Sequence, residues 1–215
     1  MSIHIREIVS RFFGRYGSAL KRIYVVLLTA TLFWTGYIWY PQNLQFWHFL
    51  FSGTGSLRII AQSVGLLFVL VIADRFTKYY EGRIKFLGWR LFGRNINFFP
   101  LHYPFLRYPF LAVFYFSLPV LAYTEELIFR HGFGVYPTTT WLDAAFRSLF
   151  FGLVHCIGGV PLRAGLILSI GGFWFSQQYF QGGLLLASVS HFIYNAIAMT
   201  YLLVAWIWTK KNPFD

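Results

Sequence analysis

The stretch LPVLAYTEELIFR, residues 118–130, places two adjacent carboxylates, Glu125 and Glu126, inside an apolar run. The chain has only seven Asp and Glu residues, and the other five lie in polar segments or at the mouth of an apolar run. An ionisable side chain at membrane depth is costly, so such a residue indicates a functional site. Arg130 lies four residues after Glu126 and can pair with it on one helix face. We therefore take this stretch as the candidate functional centre of the chain.

The rest of the sequence is dominated by long apolar runs. Of the 215 residues, 57% are hydrophobic, 22% aromatic and only 12% charged, whereas soluble domains carry about 25% charged residues. A helix needs about 20 apolar residues to cross a membrane. The sequence therefore predicts an all-α fold, a polytopic membrane bundle of six or seven transmembrane helices. The apolar runs cover residues 23–40, 57–73, 103–136, 141–157, 164–180 and 184–208.

Basic residues give the chain a net charge of +11, and they cluster in segments that flank the apolar runs. The positive-inside rule then places the N-terminus and the polar segment 74–102 in the cytoplasm. Lys210 and Lys211 favour a cytoplasmic C-terminus as well, which an even number of crossings satisfies. The pattern favours anionic lipid headgroups as partners of the basic residues and argues against nucleic acid. The single cysteine, Cys156, excludes an intrachain disulfide.

The chain is expected to divide into four parts along its length. The first 22 residues are basic and amphipathic, which is typical of a helix at the cytoplasmic membrane surface. Pro119 predicts a kink or break within the long third run. The expected parts are the N-terminal segment 1–22, the first membrane helices with their basic linker 23–118, the helix core 119–208 and the tail 209–215.

Two further motifs lie downstream of the acidic pair, FGLVH at 151–155 and HFIYN at 191–195. Taken alone, His155 reads as a core histidine, and His191 with Asn195 as polar contacts between membrane helices. Together with a carboxylate they offer more, because a carboxylate and a histidine can activate a shared water. A second histidine and an amide can hold a carbonyl oxygen as charge develops on it, at about 3–4 kcal/mol per donor. The set fits peptide hydrolysis inside a membrane.

Depth in the membrane tests whether these residues can meet. Helices joined by a short loop run antiparallel. If a new helix starts at Pro119, Glu125 lies near its beginning and His155 near the end of the next helix, on the same side. A single straight helix would put the two at different depths, so the residue set favours a break at Pro119. A full extra crossing by 103–118 conflicts with the C-terminal lysines, whereas a re-entrant segment there satisfies both.

The three motifs resemble those of a known family. EELIFR at 125–130 resembles EExxxR, FGLVH at 151–155 resembles FxxxH, and HFIYN at 191–195 resembles HxxxN. In this order they are typical of the CPBP family of CAAX proteases and bacteriocin-processing enzymes. That family includes the type II CAAX prenyl endopeptidases, which are glutamic intramembrane proteases. The resemblance covers about residues 119–200, and the first 118 residues carry no motif that we identify.

The resemblance implies an active, metal-independent endopeptidase, and the expected location is a bacterial plasma membrane. It implies a peptide bond near a membrane-associated or lipidated terminus as the target. Its partners would be membrane lipids, a membrane-bound peptide or protein, and other proteins of a membrane complex. Phe151 would be a packing residue. The family's roles fall on three pairs, which activate the water (Glu125 and His155), support the site (Glu126 and Arg130) and hold the oxyanion (His191 and Asn195).

Three other functions remain open on the sequence. Two glutamates and two histidines could bind zinc, because catalytic zinc takes His and Glu ligands. A non-catalytic scaffold, assembly factor or immunity protein could use the same fold without chemistry. A haem anchor could use His155 and His191 as axial ligands. These alternatives predict, in turn, bound metal, a phenotype that survives loss of Glu125, and a coloured protein.

Overall fold

The structure, a computed structural model, describes residues 43–51, 54–90 and 104–209. They belong to one compact unit, which begins at Gln42. All regular structure in these three ranges is helical, which confirms the all-α class. The helices are α1 (Asn43–Leu50), α2 (Thr54–Glu81), α3 (Pro104–Glu126), α4 (Trp141–His155) and α5 (Leu162–Thr209). Short 3-10 or π-helical turns follow α2, α3 and α4.

Three helical segments are long and apolar enough to cross a membrane, Gly55–Glu81, Arg107–Gly134 and Leu162–Thr209. The chain is therefore a helical membrane protein. The apolar run 23–40 and the amphipathic segment 1–22 lie outside the described residues. The count of six or seven membrane helices stays a prediction.

The long helix α5 consists of two halves that break at Gly182 and Gly183. Gly183 has φ 66° and ψ −160°, a backbone conformation that is essentially restricted to glycine. The halves fold back on each other, since the ring centroids of Phe175 and Tyr194 lie 5.8 Å apart. The two halves correspond to the apolar runs 164–180 and 184–208 of the sequence.

Helix α3 contradicts the expected break at Pro119, because it continues from Pro104 to Glu126 with Pro109 and Pro119 inside it. A proline removes one backbone hydrogen bond, and packed neighbours in a membrane bundle can compensate for that loss. The α-helical geometry instead changes after Glu126, where Leu127–His131 form a π-helical turn. The third apolar run is thus a single helix with a π-helical end.

Helix α4 is shorter than the run 141–157 suggested. It has 15 residues, or about 22 Å at 1.5 Å per residue, against a hydrocarbon thickness of about 30 Å. Its N-cap is Thr140, whose hydroxyl accepts from the Asp143 amide at 3.1 Å. The helix alone is therefore shorter than the hydrocarbon layer, and the 3-10 turn Cys156–Gly158 continues the segment beyond it. The last residue of α4, His155, faces Glu125 in the interior of the bundle.

Helix α5 forms the centre of the bundle and packs against α2, α3 and α4. Its first half meets α4 backbone to backbone, because a Cβ added at Gly152 would lie 2.1 Å from the Gly165 carbonyl oxygen. Small residues permit such close approach between membrane helices. The start of α5 is fixed to the end of α2 by Arg163, which pairs with Asp74 and, at 2.7 Å, with Glu81.

Candidate active site

The two glutamates occupy different environments at the end of α3. Successive helical residues point about 100° apart, so the two adjacent carboxylates face different surroundings. Glu126 is fully buried, whereas the Glu125 side chain is 29% exposed. One carboxylate is therefore enclosed in the bundle while the other borders an accessible space.

Arg130 fixes the buried glutamate. Its Nη1 lies 3.2 Å from Glu126 Oε1, which confirms the pairing expected from their spacing. Its Nη2 donates to the Gly172 carbonyl at 2.6 Å, and its Nε donates to Ser176 Oγ at 3.3 Å. The guanidinium carbon also lies 4.6 Å from the ring centroid of Phe151. Because all of these partners are buried, Arg130 holds Glu126 in one position.

His191 lies between the two glutamates. Its Nδ1 is 2.8 Å from Glu126 Oε1, and its Nε2 is 3.3 Å from Glu125 Oε2. The ring stacks on Phe175, with centroids 4.0 Å apart and planes 20° apart. Only 3% of the side chain is exposed. The histidine thus links the accessible carboxylate to the buried ion pair.

His155 faces the same accessible carboxylate from α4. Its Nδ1 is 2.8 Å from the Phe151 carbonyl oxygen, which only accepts hydrogen bonds, so Nδ1 carries the proton. In the neutral ring Nε2 is then an acceptor, and it lies 3.9 Å from Glu125 Oε1. Both side chains are partly exposed, at 26% for His155 and 29% for Glu125. Two acceptors therefore face each other at an accessible point.

Asn195 follows His191 by one helical turn and is partly buried. Within the described residues, its amide makes no hydrogen bond with the acidic and histidine side chains. The structure thus brings together five of the six residues that form the three role pairs. Asn195 lies beside them, and the described part of the chain offers its amide no hydrogen-bond partner. The five are Glu125, Glu126, Arg130, His155 and His191.

Part of the site lies in the first half of α5 and was not predicted from the sequence. Gly172 and Ser176 hold Arg130, and Phe175 stacks on His191. A Cβ at Gly172 would lie 2.9 Å from Arg130 Nη2, so only glycine leaves room for the guanidinium. Two small residues four apart in an apolar helix were the available signal for a close contact at this point.

Arg147 of α4 lies close to the site, since its Nη1 is 3.5 Å from the carbonyl oxygen of Phe129, the residue before Arg130. Arg147 pairs with Asp143 at 2.6 Å and not with the glutamates. Across the described ranges, no group of three or more His, Cys, Asp and Glu side chains is arranged to hold a metal ion. Comparison with known proteins gave no match, since no family model, no curated protein and no solved structure matches the chain.

Proposed function

We propose that the protein is an intramembrane endopeptidase that cleaves a peptide bond near a membrane-associated or lipidated terminus. The observation that carries this proposal is the approach of Glu125 Oε1 to His155 Nε2, which lie 3.9 Å apart and belong to partly exposed side chains. With a neutral His155 ring, both atoms are acceptors. A water molecule has two O–H groups and can donate one to each acceptor. Its oxygen lone pairs then point away from both and can attack a carbonyl carbon.

The proposed reaction is metal-independent and uses only groups of this chain and one water. The water oxygen adds to the peptide carbonyl carbon while one of its protons passes to His155 or Glu125. The resulting oxyanion accepts a hydrogen bond from the Asn195 amide, whose donors are not used elsewhere in the described residues. The carbon–nitrogen bond then breaks, and the leaving amine takes up the proton that the base received.

The resemblance to the CPBP family supports the same assignment. Its EExxxR pattern falls on the end of α3 and the π-helical turn after it, FxxxH falls on α4, and HxxxN falls on α5. The family's glutamate and first histidine are the two groups proposed here to activate water. A scaffold without chemistry would not require two acceptors to face each other at an accessible point.

The membrane topology that we propose keeps both ends of the chain in the cytoplasm of a bacterium. The start of α5 contacts the end of α2, and α5 folds back on itself, so its last residues return to the side of the polar segment 74–90. As α3 is one helix, no extra crossing separates the C-terminal lysines from that segment. The positive-inside rule supports this side as cytoplasmic.

The test compares host membranes that contain the native protein with membranes that contain Glu125→Gln or His155→Gln at matched abundance. Peptide termini are mapped by mass spectrometry, and Asp143→Asn serves as the control because Asp143 lies outside the site. We expect at least one terminus that is present with the native protein and Asp143→Asn and is lost in both site variants. Identical termini in all four samples, with the loss-of-gene phenotype rescued by Glu125→Gln, would establish a scaffold instead.

A further inference from the structure

The contacts of His191 suggest a role that the motif resemblance does not assign to it. Both of its ring nitrogens lie opposite carboxylate oxygens, at 2.8 Å for Glu126 and 3.3 Å for Glu125. An ionised carboxylate only accepts hydrogen bonds, and a neutral imidazole has only one N–H to donate. Two donors exist only in the imidazolium form, so this geometry suits a protonated ring.

Charge balance leads to the same result. With Arg130 and a protonated His191, two positive charges face the negative charges of the buried Glu126 and the partly exposed Glu125. With a neutral ring, two ionised carboxylates would share the single positive charge of Arg130 at the edge of a low-dielectric interior, which is unfavourable. A proton on Glu126 is no substitute, because Oε1 already accepts from Arg130 and His191, and buried Oε2 has no hydrogen-bond partner in the described chain to which it could donate.

The remaining surroundings of the ring are aromatic. Phe175 stacks on it from α5 at 4.0 Å, and Phe151 meets it edge-on from α4 at 5.7 Å. The face of an aromatic ring attracts a cation. Among the described residues, the two carboxylates of α3 and the face of Phe175 therefore favour the charged form of His191.

We propose that His191 is an imidazolium that bridges the two glutamates and acts as a positioning residue, leaving the oxyanion to Asn195. Its N–H holds Glu125 Oε2, so the other oxygen, Oε1, is turned toward His155. Its positive charge also lies beside the accessible carboxylate, one of the two groups proposed to accept a proton from water. This role rests on the proposed function, whereas the charge state of the ring does not.

Nitrogen-15 NMR of the full chain, labelled at histidine and embedded in lipid nanodiscs, measures the charge state directly. The spectra are recorded at pH 8, above the ordinary histidine pKa of about 6.5, and His191→Gln identifies the signal. We expect two protonated ring nitrogens for His191, whereas a neutral imidazole would show a single one. An unprotonated nitrogen on His191 would overturn the proposal. If His191→Gln does not fold, the signal is assigned by elimination with variants of the other histidines.

The Glu125→Gln variant provides a second arm of the same experiment. It removes one anion and leaves the rest of the cluster in place, so we expect His191 to lose one proton at pH 8. Asp143→Asn removes a carboxylate of α4 outside the cluster and should leave the His191 signals unchanged. Retention of both protons in Glu125→Gln would contradict the bridging role.

Activity against pH separates positioning from oxyanion binding once a cleaved terminus is known. For a positioning residue, we expect the acidic limb of the kcat profile of His191→Gln to move to higher pH. Loss of an oxyanion donor would instead lower kcat by about 100-fold to 1,000-fold with the limb in place, and that result would overturn the positioning role. If the native protein cleaves nothing, the proposed function fails while the NMR result stands.

Discussion

At the scale of single residues, the site depends on how tightly one cation is enclosed. Arg130 has no exposed surface, and its donors reach Glu126, Gly172 and Ser176. Arginine suits this task better than lysine because its planar fork donates in several fixed directions. An ion pair in such a place contributes little net stability, since desolvation offsets the attraction, but breaking it is costly. The ion pair therefore serves mainly to hold the Glu126 carboxylate in the position where His191 contacts it.

Neighbouring glycines of α5 allow a matched test of this enclosure. A Cβ at Gly172 would lie 2.9 Å from both Arg130 Nη2 and Phe151 Cδ1, whereas at Gly171 the nearest contact would be 3.6 Å. We expect Gly172→Ala to lower the free energy of unfolding by about 1–3 kcal/mol through overpacking. Gly171→Ala should be neutral or stabilising by up to about 1 kcal/mol, as alanine is the better helix former.

Denaturant unfolding of the two variants in the same detergent provides the comparison. The Gly172→Ala variant should also cleave less, because the displaced guanidinium no longer fixes Glu126. Equal stabilities of the two variants would show that Arg130 has room to move, and the enclosure argument would then be wrong.

The acidic pair and both histidine motifs were predictable at this scale because polar groups in apolar runs are rare and conspicuous. Their helical spacing also predicted the pairing of Glu126 with Arg130. Phe175 was not predictable, since one aromatic among 26 phenylalanines carries no distinguishing mark in the sequence. The position of His191 between the two glutamates was also not predictable, because it depends on which helices pack together and at what depth in the membrane.

At the scale of elements, the helices do not begin and end where the apolar runs and Pro119 predicted. Pro119 did not end α3, since hydropathy and packing outweighed one lost hydrogen bond. The expectation that a continuous α3 would separate Glu125 from His155 in depth was also wrong. After Glu126 the chain continues through a π-helical and a 3-10 turn before α4 begins. Helix α4 then runs back along the bundle for only 15 residues, so that it ends with His155 opposite Glu125. Periodicity does not reveal such turns.

The break in α5 leads to a prediction about backbone conformation alone. A Cβ at Gly183 would meet nothing within 4 Å, and the same is true at Gly65 in α2. The two positions differ only in their backbone, because Gly183 has φ 66° whereas Gly65 is helical. We expect Gly183→Ala to lower the free energy of unfolding by about 1–3 kcal/mol. Gly65→Ala should raise it by up to about 1 kcal/mol.

Thermal unfolding of both variants in lipid nanodiscs would measure these changes. Opposite signs are the diagnostic result, since crowding is absent at both positions. A Gly183→Ala variant as stable as the native protein would mean that the two halves of α5 can join through an ordinary helical turn. The fold-back that brings Phe175 onto His191 would then have another cause.

At the scale of the whole molecule, α5 connects the membrane ends with the site. Its start forms an ion pair with the end of α2 through Arg163. It folds back at Gly183, and His191 of its second half contacts Glu126 of α3. A continuous α3 removes the extra crossing that a break at Pro119 would have added, in agreement with the topology proposed above. The number of helices could not be settled from sequence, because hydropathy cannot tell one kinked helix from two.

This architecture predicts that the end of α2 and the end of α5 lie on one side of the membrane. Cysteines introduced at Lys85 and Thr209 should react with a membrane-impermeant maleimide added to inverted vesicles and not to intact cells. Tyr136→Cys, in the exposed loop between α3 and α4, should show the opposite pattern. The native Cys156 is buried, and burial raises the pKa of its thiol, so it contributes little background labelling.

Labelling of the Lys85 and Thr209 positions from opposite sides would require an odd number of crossings between them. Such a result is incompatible with α5 folding back at Gly183, because its two ends would then lie at opposite surfaces. The contact between Phe175 and His191 would disappear with that fold-back, and the acidic pair would lose its bridging histidine. Same-side labelling that occurs only in intact cells would instead keep the fold and reverse its orientation, so that the site would face substrates from outside.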